Sequence, residues 1–283
     1  MKTFFFLFIS LLNFSHAGTQ SVLLTRVLEA IRIQAEQPEL KSRGLLRKDF
    51  DLILKLLDKH QVASPTLSRW HTLNPADHKL QSLPLPTLSK SGEAYPALSL
   101  HAHKFYVAEE SDDVTNDDLY VSFFITDGNI PTGKLSSIYR GIDEGESFLF
   151  ILQDRILYPL DGSLQIPRGH LIIDYMIIES DGDDIKEMKR ISGFITELAI
   201  EFYKRKYGEP GELTRIREEV RALSEALLDL NHDDRLVTAT WAPSPLEVNQ
   251  SLEGRSFAEI TRTHKESSTW GDFKYKITFR LIR

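Results

Sequence analysis

The 283-residue sequence contains no cysteine, and only three methionines and three tryptophans. Without cysteine there is no disulfide framework, no lipid-anchoring cysteine, no thiolate metal ligand and no thiol nucleophile. Small exported domains lean on disulfides when their cores are thin, but the roughly 265 residues that follow residue 17 can bury a sufficient core without them. Beyond residue 17 no apolar run approaches the ~20 residues that a membrane-spanning helix needs. Basic stripes interleaved with aromatics are missing, and the net charge is −7 with a pI near 5.8. The electrostatic footprint of a nucleic-acid binder is therefore absent. There is also no G-x-S-x-G elbow to hold a nucleophile and no H-E-x-x-H zinc helix.

What is present begins with "MKTFFFLFISLLNFSHAG". Lys2 supplies a positive start, Phe4 to Leu12 an apolar stretch too short to span a bilayer, and Ser15-His16-Ala17 a small-x-small cleavage site. Residues 1–17 thus read as a signal peptide. The expectation is a mature protein starting near Gly18, periplasmic or secreted, with no transmembrane segment after cleavage. Lack of cysteine favours a bacterial periplasm over an oxidising secretory lumen.

Residues 18–63 read as a small N-terminal helical region. Val22, Leu23, Val27, Leu28 and Ile31 share one helix side, and Phe50, Ile53, Leu54 and Leu57 another. Residues 64–97 carry five prolines and no sustained period, and read as a Pro-rich linker with Trp70 as an anchor. From 98 to 283 the period is two, broken by a helical insertion at 185–232. In that insertion Ile185, Met188, Ile191, Ile195, Leu198 and Phe202, then Leu213, Ile216, Val220, Leu223, Leu227 and Leu230, recur at three and four. The expected fold class is α+β: an antiparallel β-sandwich with an inserted αα-hairpin and a small N-terminal helical region.

Gly128 to Lys134 has G-x-x-x-x-G-K spacing, but Leu135 stands where a Mg²⁺-holding hydroxyl belongs and Pro131 removes a backbone donor. It reads as a loop between strands. His101 and His103 share one face of a strand, and paired imidazoles can ligate zinc. His232, beside Asp233 and Asp234, can serve as a general base or simply complement its own helix C-terminus.

Three acidic groups carry more information: Asp112, Asp113, Asp117 and Asp118 before one strand; Glu179, Asp181, Asp183 and Asp184 after another; Asp229, Asp233 and Asp234 before a third. Two carboxylates 4 Å apart repel by about 4 kcal/mol at an effective dielectric of 20. If the fold gathers all three groups at one end of a sandwich, a hard dication is the natural remedy. Ca²⁺ takes six to eight oxygens from flexible, carboxylate-rich loops. No EF-hand is formed, because Asp118 occupies the position of the invariant glycine.

"Asp118-Leu-Tyr-Val-Ser-Phe" resembles the D-P-Y-V-x-V strand of C2 domains. "Ile177-Ile-Glu-Ser-Asp181-Gly-Asp183" resembles the strand that runs into their D-x-D calcium loop. "Asp233-Asp234-Arg-Leu-Val" is similar to the D-D-x-I-G that follows that loop. Carried over, the resemblance implies a C2-like sandwich with Ca²⁺ ligand roles for Asp118, Asp181, Asp183 and Asp233 or Asp234. Leu119 replaces the motif's proline and Val237 its glycine, and residues 185–232 sit inside a loop normally a few residues long. The functional expectation is an exported, non-enzymatic binding module, Ca²⁺-dependent, contacting an envelope lipid, glycan or protein. The alternatives are a periplasmic hydrolase using paired carboxylates and His232, or a structural protein docking through the helix hairpin.

Overall fold

The structure is a computed structural model. It describes residues 27–33, 47–62, 94–109, 117–128, 132–180, 190–191, 193–198, 200–201, 220, 223, 234–268 and 271–283. Their core is a sandwich of two antiparallel sheets. The first sheet takes β1 (Ser99–Glu109), β5 (Ser147–Leu149), β9 (Phe257–Ser268) and β10 (Gly271–Ile282) in the order β5-β1-β10-β9. β6 (Ile156–Tyr158) also pairs with β1. The second sheet takes β2 (Asp117–Thr126), β3 (Thr132–Leu135), β7 (Ile172–Glu179) and β8 (Asp234–Trp241) in the order β3-β2-β7-β8, and β4 (Tyr139–Ile142) also pairs with β2.

Period-two alternation builds this core. Tyr275, Ile277, Phe279 and Leu281 of β10 are fully buried, as are Ile173 and Ile177 of β7 and Val121 of β2. Phe123 sits among the rings of Phe150, Tyr175 and Phe279 at centroid distances of 6.0, 6.3 and 6.4 Å. Trp241 stacks on Phe279 at 4.8 Å. Such pairs add about 0.5–1.5 kcal/mol each beyond their area burial. A helix at Pro245–Leu252, capped by Ser244 Oγ accepting from Glu247 N–H at 3.1 Å, buries Val248 and Leu252 in the same core.

β7 buries its other face as well. Met176 and Ile178 join Tyr120 in a small cluster outside the sandwich. Beside it lies a second core made by the described helical residues 27–33, the helix Arg47–Lys59 and the helical residues 190–201, 220 and 223. Val27, Ile31, Phe50, Ile53 and Leu57 there meet Phe194, Leu198, Leu223 and Phe124 of β2. The N-terminal helical residues thus pack on the inserted ones and reach the sheet through Phe124. Lys59 Nζ donates to Glu197 Oε1, and His60 Nε2 lies 2.5 Å from Glu197 Oε2. The Lys59 hydrogen bond holds the Glu197 carboxyl below the usual carboxylate range. The apolar residues described on the insertion (Ile191, Phe194, Ile195, Leu198, Val220, Leu223) are therefore covered rather than presented for docking.

Three strands and a helix were not anticipated: β3, β4, β9 and Pro245–Leu252. β9 alternates, but Glu259, Thr261 and Thr263 on one side and Arg262 and His264 on the other leave it few apolar positions; it is an edge strand of charged type. The G-x-x-x-x-G-K stretch runs into β3, an edge strand, rather than a helix. Within the Pro-rich stretch, Tyr95 is buried, donating to the Pro243 carbonyl at 2.6 Å and accepting from Leu171 N–H at 3.3 Å. Trp70 lies outside the described residues.

Gly133 of β3 faces the helical layer, and a Cβ there would lie 2.2 Å from Thr196 Oγ1. Gly133→Ala therefore forces helix and strand apart and costs about 1–3 kcal/mol, the usual range for overpacking. Thr196→Ala added to it recovers part of that loss. Denaturant melts of the two single variants and the double variant measure it; additive losses in the double variant would contradict the contact.

Candidate functional site

The register of the second sheet aligns the ends of three strands. Leu119 of β2 stands opposite Glu179 of β7, and Glu179 opposite Asp234 of β8. Asp117 pairs with Ile142 of β4, and Ser180 N–H donates to the Asp118 carbonyl at 2.7 Å. The segments bearing Asp118, Glu179 and Asp234 thus lie side by side at one end of one sheet. The turn after β4, with Asp143, Glu144 and Glu146, returns the chain to β1, Gly145 N–H donating to the Val107 carbonyl at 2.9 Å.

Asp118 is the one expected ligand whose side chain is described. Its Oδ1 accepts from Gly141 N–H at 2.8 Å, and its Oδ2 lies 3.7 Å from Arg140 Nε. That ion pair is solvent-exposed on the Arg140 side, and such pairs contribute ~1 kcal/mol or less. An ionised carboxylate offers about four acceptor positions, so one backbone donor leaves room for a cation. Asp234 is placed by its backbone alone. Asp181, Asp183, Asp233 and His232 lie outside the described residues. Among the described residues no three His, Asp or Glu side chains gather at metal-holding distance.

His101 and His103 are engaged separately. A bulge between Ala102 and Lys104 breaks the alternation. His101 Nε2 lies 2.9 Å from Ser99 Oγ, while His103 Nε2 accepts from Arg280 Nη2 at 2.7 Å. Burial first, and neighbouring cations next (Arg155 for His101, Arg280 for His103), lower both histidines below their ordinary pKa. His103 Nε2 also lies 3.2 Å from Glu259 Oε1, the two flanking the same Arg280 guanidinium.

A further polar pair lies inside the sandwich near the β8–β9 side. The Tyr175 hydroxyl donates to His264 Nε2 at 2.6 Å. Burial, with Arg262 adding to it, pushes His264 down to about 4. On the outer side of β7, Thr240 Oγ1 donates to Asp174 Oδ1 at 2.5 Å. The pairing of β9 with β10 brings His264 to Tyr175.

No family model and no curated protein matches the chain. Among solved structures, human GIVD cytosolic phospholipase A2 aligns with 68% of this chain at 11% identity and a TM-score of 0.27. Its complex with methyl gamma-linolenyl fluorophosphonate aligns with 67% at 10% identity and a TM-score of 0.28. This chain spans 17% of the phospholipase chain's length. A structure of CC2D1B, described with the mitotic reformation of the nuclear envelope, aligns over 92% of this chain and 84% of its own at 11% identity, with a TM-score of 0.27. The sandwich architecture rests on the strand pairing above, not on these likenesses.

His264 makes stability depend on pH in a defined direction. Its folded pKa, about 4, lies below the ordinary 6.5, so the unfolded chain binds the extra proton between those values. Stability therefore rises from pH 4 to 6.5 and falls as acid is added, with His101 and His103 contributing in the same direction. His264→Gln keeps an acceptor for Tyr175 but cannot titrate, and its melting temperature falls less steeply across that window. Calorimetric scans at stepped pH check it; parallel slopes for variant and wild type would contradict the assignment.

Proposed function

We propose that this chain is an exported, non-enzymatic binding module of the C2-like kind that takes Ca²⁺ at the acidic end of the second sheet. The observation that carries the reading is the register Leu119–Glu179–Asp234, which gives three acidic segments a common end. Asp118, Asp181, Asp183, Asp233 and Asp234 are the proposed ligands. When bound, the ion supplies positive charge to an end of the molecule that otherwise repels anions. Its partner is an envelope lipid, glycan or protein presenting anionic groups, drawn to that end only when calcium is there.

The protein's own part is positional. Asp118 is held by Gly141 N–H, so its second oxygen is oriented before any ion arrives. The antiparallel pairing of β2, β7 and β8 holds the flanking loops at one place despite the helical insertion between β7 and β8.

Isothermal titration tests this directly. Calcium at millimolar concentration gives measurable heat and raises the melting temperature; a hundredfold excess over Kd corresponds to about 2.7 kcal/mol of added stability. Asp118→Asn preserves the Gly141 contact and loses most of the calcium response, as does Asp183→Asn. No heat and no thermal shift would end the proposal.

A further inference from the structure

A different chemistry occupies the side of β1 away from β10, where β5 and β6 pair with it. β5 pairs with this edge as far as Leu149 opposite Lys104, Phe150 N–H donates to the His103 carbonyl at 3.1 Å, and the chain returns as β6 with Ile156 opposite His101. Between them the chain makes one helical turn, Leu152–Arg155. Phe150 is fully buried, and the neighbouring apolar side chains point out: Leu149 is 55% exposed, Ile151 40% and Leu152 73%.

Three cations lie around this turn, and two of them, Arg155 and Lys134, form no ion pair among the described residues. Arg155 donates through Nε and Nη2 to the Phe150 carbonyl at 3.3 and 3.0 Å, and no ion pair is formed by it among the described residues. Lys134 reaches across from β3 of the other sheet to donate to the Ile156 carbonyl at 2.5 Å. The nearest acid, Asp154, is turned onto Ser137 N–H at 2.7 Å and the Tyr139 hydroxyl at 3.1 Å. Arg280, opposite His101 on β10, is shared with Glu259 and His103. A guanidinium carries five N–H donors and an ammonium three, so Arg155 and Lys134 keep donors beyond the carbonyls they already serve. Burial lowers Lys134 below its ordinary pKa against the opposing pull of Asp154, and burial first, then Arg155, Arg280 and Lys134, lower His101.

We propose that the β1–β6 edge is a binding site for a phosphate group, held by Arg155 and Lys134 beside the ring of His101. Multiple fixed donors on one small patch suit the several oxygens of a phosphate better than a single carboxylate. The exposed Leu149, Ile151 and Leu152 give the same edge an apolar flank of the kind that marks interaction surfaces. Phosphate as a free anion and phosphate as a lipid headgroup share this chemistry, and the two differ in their need for that flank. The site is independent of calcium.

The test uses the full mature chain with EGTA present, so that it does not depend on the acidic end. Inorganic phosphate is titrated calorimetrically, and phosphatidylcholine vesicles with and without phosphatidylglycerol are sedimented with the protein. Phosphate binds, and Lys134→Met with Arg155→Met weakens it by at least about tenfold, a loss of ~1.4 kcal/mol. Arg155→Lys, which keeps the charge, loses less, and matching melting temperatures guard against misfolding. If the source is a headgroup, phosphatidylglycerol vesicles carry the protein down and Leu152→Glu abolishes this while leaving phosphate binding intact. If the source is the free anion, vesicles do not sediment it. A wild type that binds neither phosphate nor anionic vesicles, or a double variant that binds as well as wild type, overturns the proposal.

Discussion

β7 is apolar on both faces, and the rest of the molecule follows from having to cover both. Side chains alternate along a strand, so Ile173, Tyr175 and Ile177 enter the sandwich while Met176 and Ile178 emerge from it. A sheet with one wet face needs no third layer; a sheet with this strand at its centre does. The helical core around Phe194, Leu198 and Phe124 lies on that outer side, where Gly133 lets the helix bearing Thr196 approach the sheet. A slip of one residue would exchange the side chains fitted to the sandwich (Ile173, Tyr175, Ile177) with those fitted to the outer side (Met176, Ile178), which pins the register with β2 and β8. The alignment of Leu119, Glu179 and Asp234 is a by-product of that packing constraint, not of any attraction among the acids.

Much of this was legible in the residues. The alternation of β10, the doubly apolar β7 and the three-and-four spacing around Ile191, Ile195 and Leu198 all announced their burial. Elements whose pattern is not apolar were lost. β9 carries Arg262 and His264 on the side that turns toward the other sheet, so periodicity alone gave no strand. β3 and β4 are four residues each, too short for a period to show. The helix at Pro245–Leu252 carries too short an apolar stripe to stand out.

The candidate sites divide in the same way. Acidic residues at strand ends are visible because loops flank them and strand order can be guessed. Arg155 and Lys134 were not visible as a pair: they lie 21 positions apart, Arg155 in the turn before β6 and Lys134 on β3 of the other sheet, and only Lys134 reaching the Ile156 carbonyl unites them. "ESFLFIL" and "DRILYPL" read as two strands, and the chain does pair with β1 twice, but only over Ser147–Leu149 and from Ile156; between them Phe150 enters the core and Leu152–Arg155 makes a helical turn. That excursion exposes Leu149, Ile151 and Leu152 precisely because Phe150 turns inward between them. The outward Leu149, Ile151 and Leu152 are thus a geometric consequence of a buried neighbour.

The two ends of β1 consequently differ in sign. Val107 receives the acidic turn that follows β4, whereas His101 lies among Arg155, Arg280 and Lys134. Six residues of extended chain separate them, about 20 Å at ~3.3 Å per residue. The screening length at physiological ionic strength is about 8 Å. An ion bound at the acidic end is therefore felt only weakly at the cationic edge through solvent. Direct electrostatic cooperation between the ends is correspondingly small. Coupling between them through the fold has to run along β1 and its neighbour β10 in the first sheet and cross to the second through Phe123 against Phe150. The close packing of that aromatic core argues that the two proposed sites act side by side rather than as a switch.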